Sequence, residues 1–351
     1  MNHNAQISIA KGWGISLMVI GHSGCPQYFH DFIYNFHMVL FYFLSGFFFQ
    51  DKKIVKNGRN FMVRKFRGLF WTYIKWSIVF ILLHNFFYEI GFNETTLSQQ
   101  EMWINIKRSI MGMYQGERFL GAYWFLISLF WEIVIFSFIV WIDSLFFIKY
   151  LKPILVFTLF CIGLISIELG IDILINRELM ILPFFYLGYL VGNKQIKILD
   201  IKYNKVFAFF LCFPVLSFLT LYIQTAVGGN NYGPYYIYFI TSFCGIYLTM
   251  MISEQLTRTK VGVVLDGLGK ETLQIMTFHF LAFKMLTALL VSLYNLSSSL
   301  LREWPIPTEL EGFWPLYAFV GIIIPYGMLI LSNRSKMMVS QLYNKLLYRR
   351  R

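Results

Sequence analysis

The sequence predicts an all-α, polytopic integral membrane protein of about ten transmembrane helices with both termini in the cytoplasm. Three observations lead there. Of its 351 residues 57% are hydrophobic and only 14% charged, against about 25% charged in soluble domains. Ten apolar segments each approach the roughly 20 residues that cross a bilayer as a helix. Lysine and arginine gather in alternate loops, as they do on the cytoplasmic side of a membrane.

The segments fall at about 7–24, 31–50, 68–88, 121–142, 152–170, 178–193, 205–224, 235–253, 271–293 and 313–332, the sixth being the shortest. No long polar stretch interrupts them, so 1–351 reads as one membrane domain without a separate soluble domain. With the N-terminus inside, segments 51–67, 143–152, 194–205, 254–270 and 333–351 hold 22 of the 30 basic residues. The outer loops hold five, and Lys11, Lys75 and Lys284 lie within apolar segments. The opposite orientation inverts the bias. The net charge of +12 is therefore matched to an anionic inner leaflet, which argues against a nucleic-acid partner. The tail YNKLLYRRR reads as a short basic amphipathic end along that surface.

The first segment lacks a basic start and a small-residue cleavage site, so it is not read as a secretory signal. His22, just before Ser23-Gly24-Cys25, speaks against lipoprotein processing. Four scattered cysteines make neither a disulfide framework nor a zinc site, and no metal is expected.

Polar groups at membrane depth are costly, and a central lysine costs about 2.5–3.5 kcal/mol on insertion scales. The stretch from Lys11 to Gly46 carries several. Lys11 and His22 are eleven residues apart, about 1,100° of helix, so they share a face with an axial offset of about 16 Å. Gly12 and Gly14 thin the helix beside Lys11, allowing a neighbouring helix or ligand to approach. His37 falls at a depth close to that of His22, and Ser45-Gly46 is a small pair suited to close packing. At the entry to the third span, Arg64, Arg67 and Lys75 fall within about 60° of one face on α-helical spacing. Arginine forks and lysine charges suit phosphate oxygens. Positive-inside anchoring explains Arg64 and Arg67 equally well, but not Lys75, two turns inside the apolar segment.

Lys11-x10-His22, FHMVLFYFLSGFF and Arg64-x-x-Arg67 appear in order, followed by AYWFLISLFW, LPFFYLGYLVG and LGKETLQIMTFHF, which ends at His279. On these motifs the chain resembles the acyltransferase-3 family of bacterial membrane acyltransferases, in particular its fucose 4-O-acetylase-like branch, over nearly its whole length. It departs from the common pattern at Lys11, where many members have arginine, at Val39 in place of proline, and at Gln274-Ile275-Met276 before His279. The extracellular hydrolase-like domain of some members is not expected.

The resemblance implies an O-acetyltransferase of the bacterial cytoplasmic (plasma) membrane. Its donor would be acetyl-CoA and its acceptor a hydroxyl of a cell-surface polysaccharide or lipid-linked repeat unit. Lys11, Arg64, Arg67 and Lys75 then form a basic mouth for the phosphates of acyl-CoA. His22 is the expected catalytic residue, either as general base on the sugar hydroxyl or as acyl carrier. His37 supports it. Ser45, Trp124, Glu132 and His279 serve the acceptor or the structure: Trp124 by stacking on a sugar ring, Glu132 by holding an imidazole or a hydroxyl. His84 and Lys284 receive no role. The rival reading is a secondary transporter or lipid-glycan flippase, and a catalytically silent scaffold is a third. Transporters of that kind carry repeats with broken helices, and no such repeat is visible.

Overall fold

The computed structural model describes residues 3–112, 117–146, 148–171, 173–193, 206 and 208–348. These form helices α1 His3–His22, α2 Gln27–Tyr34, α3 His37–Phe47, α4 Asp51–Lys65, α5 Trp71–Glu89, α6 Gln99–Ile110 and α7 Trp124–Phe146. They continue as α8 Leu151–Glu168, α9 Asn176–Gly192, α10 Phe213–Leu219, α11 Tyr235–Leu256, α12 Lys260–Lys270, α13 Thr272–Leu293 and α14 Trp314–Tyr348. No β-strand occurs among the described residues. The basic segment 194–205 and the side chains of the tail lie outside the description.

Among the described residues six helical stretches are long and apolar enough to cross a membrane: Asp51–Glu89, α7, α8, α11, α13 and Thr308–Leu331. Six of the ten predicted spans coincide with them. The other four fall short for separate reasons. Helix α1 has the length, but Gln6, Lys11 and His22 lower its hydropathy. Helix α9 has 17 residues. The 205–224 segment resolves into a π-helical turn, Ala208–Cys212, and the short α10.

The predicted span 31–50 is broken between α2 and α3, at Asn35 and Phe36. Backbone groups freed inside a membrane must be satisfied by protein, and here they are. Thr225 Oγ1 donates to the Tyr34 carbonyl at 3.0 Å and Ser242 Oγ to the Asn35 carbonyl at 3.1 Å. The fully buried Asn35 side chain bonds Thr220 and Thr225. Across the break the Tyr34 and His37 rings stay 4.9 Å apart.

Glycines set the helix spacing. A Cβ on Gly12 would sit 1.9 Å from the Leu265 carbonyl oxygen, and one on Gly269 would sit 1.8 Å from that of Ser8. Helix α1 therefore lies backbone to backbone on α12, the close approach expected from Gly12. Between α3 and α9, Gly46 meets the Phe185 carbonyl and Gly188 that of Phe43. In a bilayer such small-residue contacts replace the hydrophobic drive that water supplies to soluble folds.

Among the described residues a small buried cluster forms around Phe36, Leu216 and Tyr247, and two larger ones make up the rest of the core. One of the larger two gathers Leu40, Tyr42, Phe136, Phe185 and Tyr238; the other gathers Ile15, Val19, Phe80, Phe119 and Phe283. Leu69 and Phe125 pack on both of these, and a cavity opens beside them.

Candidate functional site

The cavity holds about 350 Å³ and runs along α1 from Lys11 past Ile15 and Met18 to His22. Helical spacing puts these four on one stripe, with Gly14 packed away against Leu40 and Phe41. His37, Ser45 and Trp124 also line it, so five of the ten predicted site residues share one space.

At the His22 end, rings cluster around Tyr34. Its hydroxyl and His22 Nδ1 share a 3.2 Å hydrogen bond. Its ring stacks on His30 at 3.9 Å and lies 4.9 Å from the His37 ring. His30 Nδ1 pairs with Asp31 Oδ1 at 3.0 Å, and Gln27 and Gln224 both donate to that carboxylate. His37, 2% exposed, donates from Nδ1 to the Ile33 carbonyl, which fixes its tautomer and leaves Nε2 with a lone pair. His279 donates from Nδ1 to the Met276 carbonyl and stacks on His22 at 5.5 Å. It stands behind His22 and does not line the cavity. Phe280, 5.0 Å from His22, closes the same side.

At the other end, Lys11 Nζ lies 5.0 Å over the Phe48 ring. Lys65 is close enough to feel the charges of Lys11, Lys53 and Arg64, so this mouth is basic. Gly68 and Leu69 line the cavity. Arg64, Arg67 and Lys75 are exposed and do not. Their predicted shared face assumed unbroken α-helical spacing. A π-helical turn at Phe66–Phe70 interrupts it, and Lys75 instead places Nζ 5.0 Å from the Trp76 ring.

Ser45 donates its hydroxyl to the Phe41 carbonyl within its own helix, at 2.8 Å. Trp124 is held from two sides. The Arg177 guanidinium lies 4.5 Å over its ring, while Gly228 approaches so closely that a Cβ would be 3.1 Å from the indole. Arg177 also donates to the Val227 and Gly228 carbonyls, fixing that loop over the cavity. One indole face is therefore covered by arginine rather than open to a sugar. Glu132 is fully buried, holds no imidazole and does not line the cavity; neither of its oxygens has a hydrogen-bond partner among the described residues.

Sequence reasoning passed over Tyr34, the His30–Asp31 pair, Lys65 and Arg177. Tyr34 lies three residues before His37, but its link to His22 is a contact between two helices, α2 and α1, which apolar patterning does not announce. Arg177 was counted only as an outer-loop charge. No group of three or more metal-ligating side chains is found among the described residues.

The described residues thus form a helical protein with several apolar, span-length helices and a cavity that is basic at one end and lined by histidines at the other. The chain is more closely defined than that. Residues 4–332 match the family model described as an acyltransferase domain, and the protein belongs to the acyltransferase-3 family. Neither a curated relative nor a solved structure matches it.

Proposed function

We propose that the protein transfers an acetyl group from cytoplasmic acetyl-CoA to a hydroxyl of a cell-surface polysaccharide or its lipid-linked repeat unit. The observation that carries the reading is the single cavity joining Lys11 to His22 in a member of an acyltransferase family. A volume of about 350 Å³ is at the small end for ligand sites. It suits the acyl-pantetheine end of the donor and leaves the nucleotide phosphates at the mouth near Lys11 and Lys65. Arg64 and Arg67 act from the surface of that mouth, and Lys75 is not part of it.

With His22 Nδ1 donating to Tyr34, the Nε2 lone pair is free. It takes the proton of the acceptor hydroxyl as that oxygen attacks the thioester carbonyl. The carbon–sulfur bond breaks, and the CoA thiolate leaves, taking the proton that His22 accepted so that CoA departs as the thiol. His37 Nε2 supports the acceptor. An acyl-His22 intermediate uses the same nitrogen, and acid-quench mass analysis of His22-containing peptides separates the routes. The broken α2–α3 helix is a feature shared with transporters, but family membership favours group transfer.

The test is CoA release from acetyl-CoA by the purified protein with surface glycan as acceptor. Release that depends on both glycan and His22 supports the reading. Glycan movement across a membrane without any acetyl donor supports the transporter.

A further inference from the structure

A second cavity, of about 300 Å³, opens where the C-terminal end of α5 meets the 93–97 segment and α6. It lies at the same end of the bundle as His22. Three ring contacts connect the two regions: His22 to Phe280 at 5.0 Å, Phe280 to Trp304 at 4.7 Å, and Trp304 to Phe119 at 5.5 Å. Phe119 adjoins Arg118, which lines this cavity.

The lining is polar, and its charges nearly cancel. Arg118 grips Glu94 through a two-pronged pair, both bonds 2.9 Å. Glu117 pairs with His84 Nδ1 at 3.0 Å, and His84 Nε2 bonds the Thr95 carbonyl. Arg108 is left over. It is exposed, lines the cavity, and has no carboxylate partner among the described residues. Asn93 is only 2% exposed and also lines the cavity, donating from Nδ2 to the His84 carbonyl. Its Oδ1 is buried without a hydrogen-bond partner among the described residues. Asn105 offers a further amide on the cavity wall.

We propose that this cavity is a second carbohydrate subsite, which takes an acidic pyranose of the acceptor glycan. The sugar carboxylate pairs with Arg108, and ring hydroxyls bond the Asn105 amide. The assignment rests on the glycan-acceptor reading above. One uncompensated cation suits one carboxylate. A lipid phosphate cluster would need more positive charge than a cavity that also carries Glu94 supplies. The subsite holds a residue further along the glycan while the hydroxyl to be acetylated reaches His22, so binding energy remote from the reaction is used to orient it.

The experiment measures the thermal shift of the full chain in nanodiscs with glucuronate and, separately, with glucose at equal concentration. Glucuronate is expected to raise the melting temperature more than glucose. Arg108→Gln is expected to weaken the glucuronate response about tenfold and to leave the shift produced by acetyl-CoA intact, which shows that the variant folds. His22→Ala is expected to keep the glucuronate response. Equal responses to the two sugars, or a glucuronate response unchanged in Arg108→Gln, overturn the subsite. Acetyl transfer without a glucuronate response removes the subsite and spares the enzyme; a glucuronate response without acetyl transfer does the reverse.

Discussion

Replacing Tyr34 with phenylalanine tests the geometry around His22 most finely. The change removes one hydroxyl and keeps the ring stacked on His30 at 3.9 Å and beside His37 at 4.9 Å. The loss is the 3.2 Å bond to His22 Nδ1. A net hydrogen bond contributes about 0.5–1.5 kcal/mol, and each 1.36 kcal/mol on a barrier is about tenfold in rate. Tyr34→Phe should therefore slow acetyl transfer about two- to twelvefold, well short of the roughly 10²–10⁴-fold effect of losing a general base. Single-turnover acetyl transfer to glycan gives the rate, and titration with a non-hydrolysable acetyl-CoA analogue gives donor affinity. The expected pattern is a slower chemical step, unchanged donor affinity and an almost unchanged melting temperature. A wild-type rate would refute the role of Tyr34 in orienting His22. A fall in donor affinity matching the fall in rate would move Tyr34 to the donor site.

Lys11→Ala should weaken acetyl-CoA binding about tenfold, measured by calorimetry at low salt, with Lys11→Arg close to wild type and the difference shrinking as salt rises. Gly188→Leu should prevent α3 and α9 from packing, since even a Cβ there would be 1.9 Å from the Phe43 carbonyl oxygen. The overpacking costs about 3 kcal/mol, read as a loss of folded protein in size-exclusion profiles, whereas half-buried Gly58, with nothing within 4 Å of its Cβ, should accept alanine. The Arg118 guanidinium holds the Glu94 carboxyl below its ordinary 4.5. The pair's stabilisation is thus fully present above pH 4.5 and is lost as pH falls through the lower folded value. Thermal melts across acid pH should show that loss in wild type and not in Arg118→Gln.

Apolar length alone made six of the ten predicted spans legible, because a span must satisfy its own backbone and needs a long apolar run to do so. It failed where tertiary contacts substitute for continuity. Asn35 ends α2 because Thr220, Thr225 and Ser242 meet the groups it frees, and those partners lie about 200 positions along the chain. The Lys11–His22 stripe was legible because one regular helix carries both residues. Arg64, Arg67 and Lys75 were not correctly phased, because the π-helical turn at Phe66–Phe70 has no sequence signature that spacing alone reveals. His279 was legible as a motif but not as a ring stacked on His22, which depends on how α13 packs against α1. Lys284 had no visible role; fully buried, it donates to the Leu301 and Glu303 carbonyls and ties down the loop that carries Trp304.

The most direct test is mass analysis of the host's surface glycan from strains carrying wild-type protein, His22→Ala, or no protein. An acetyl group on a defined sugar in wild type, absent from both other strains while His22→Ala is present in the membrane at normal abundance, is the expected result. Glycan acetylation that persists in His22→Ala would contradict the central claim that the cavity delivers the donor to His22.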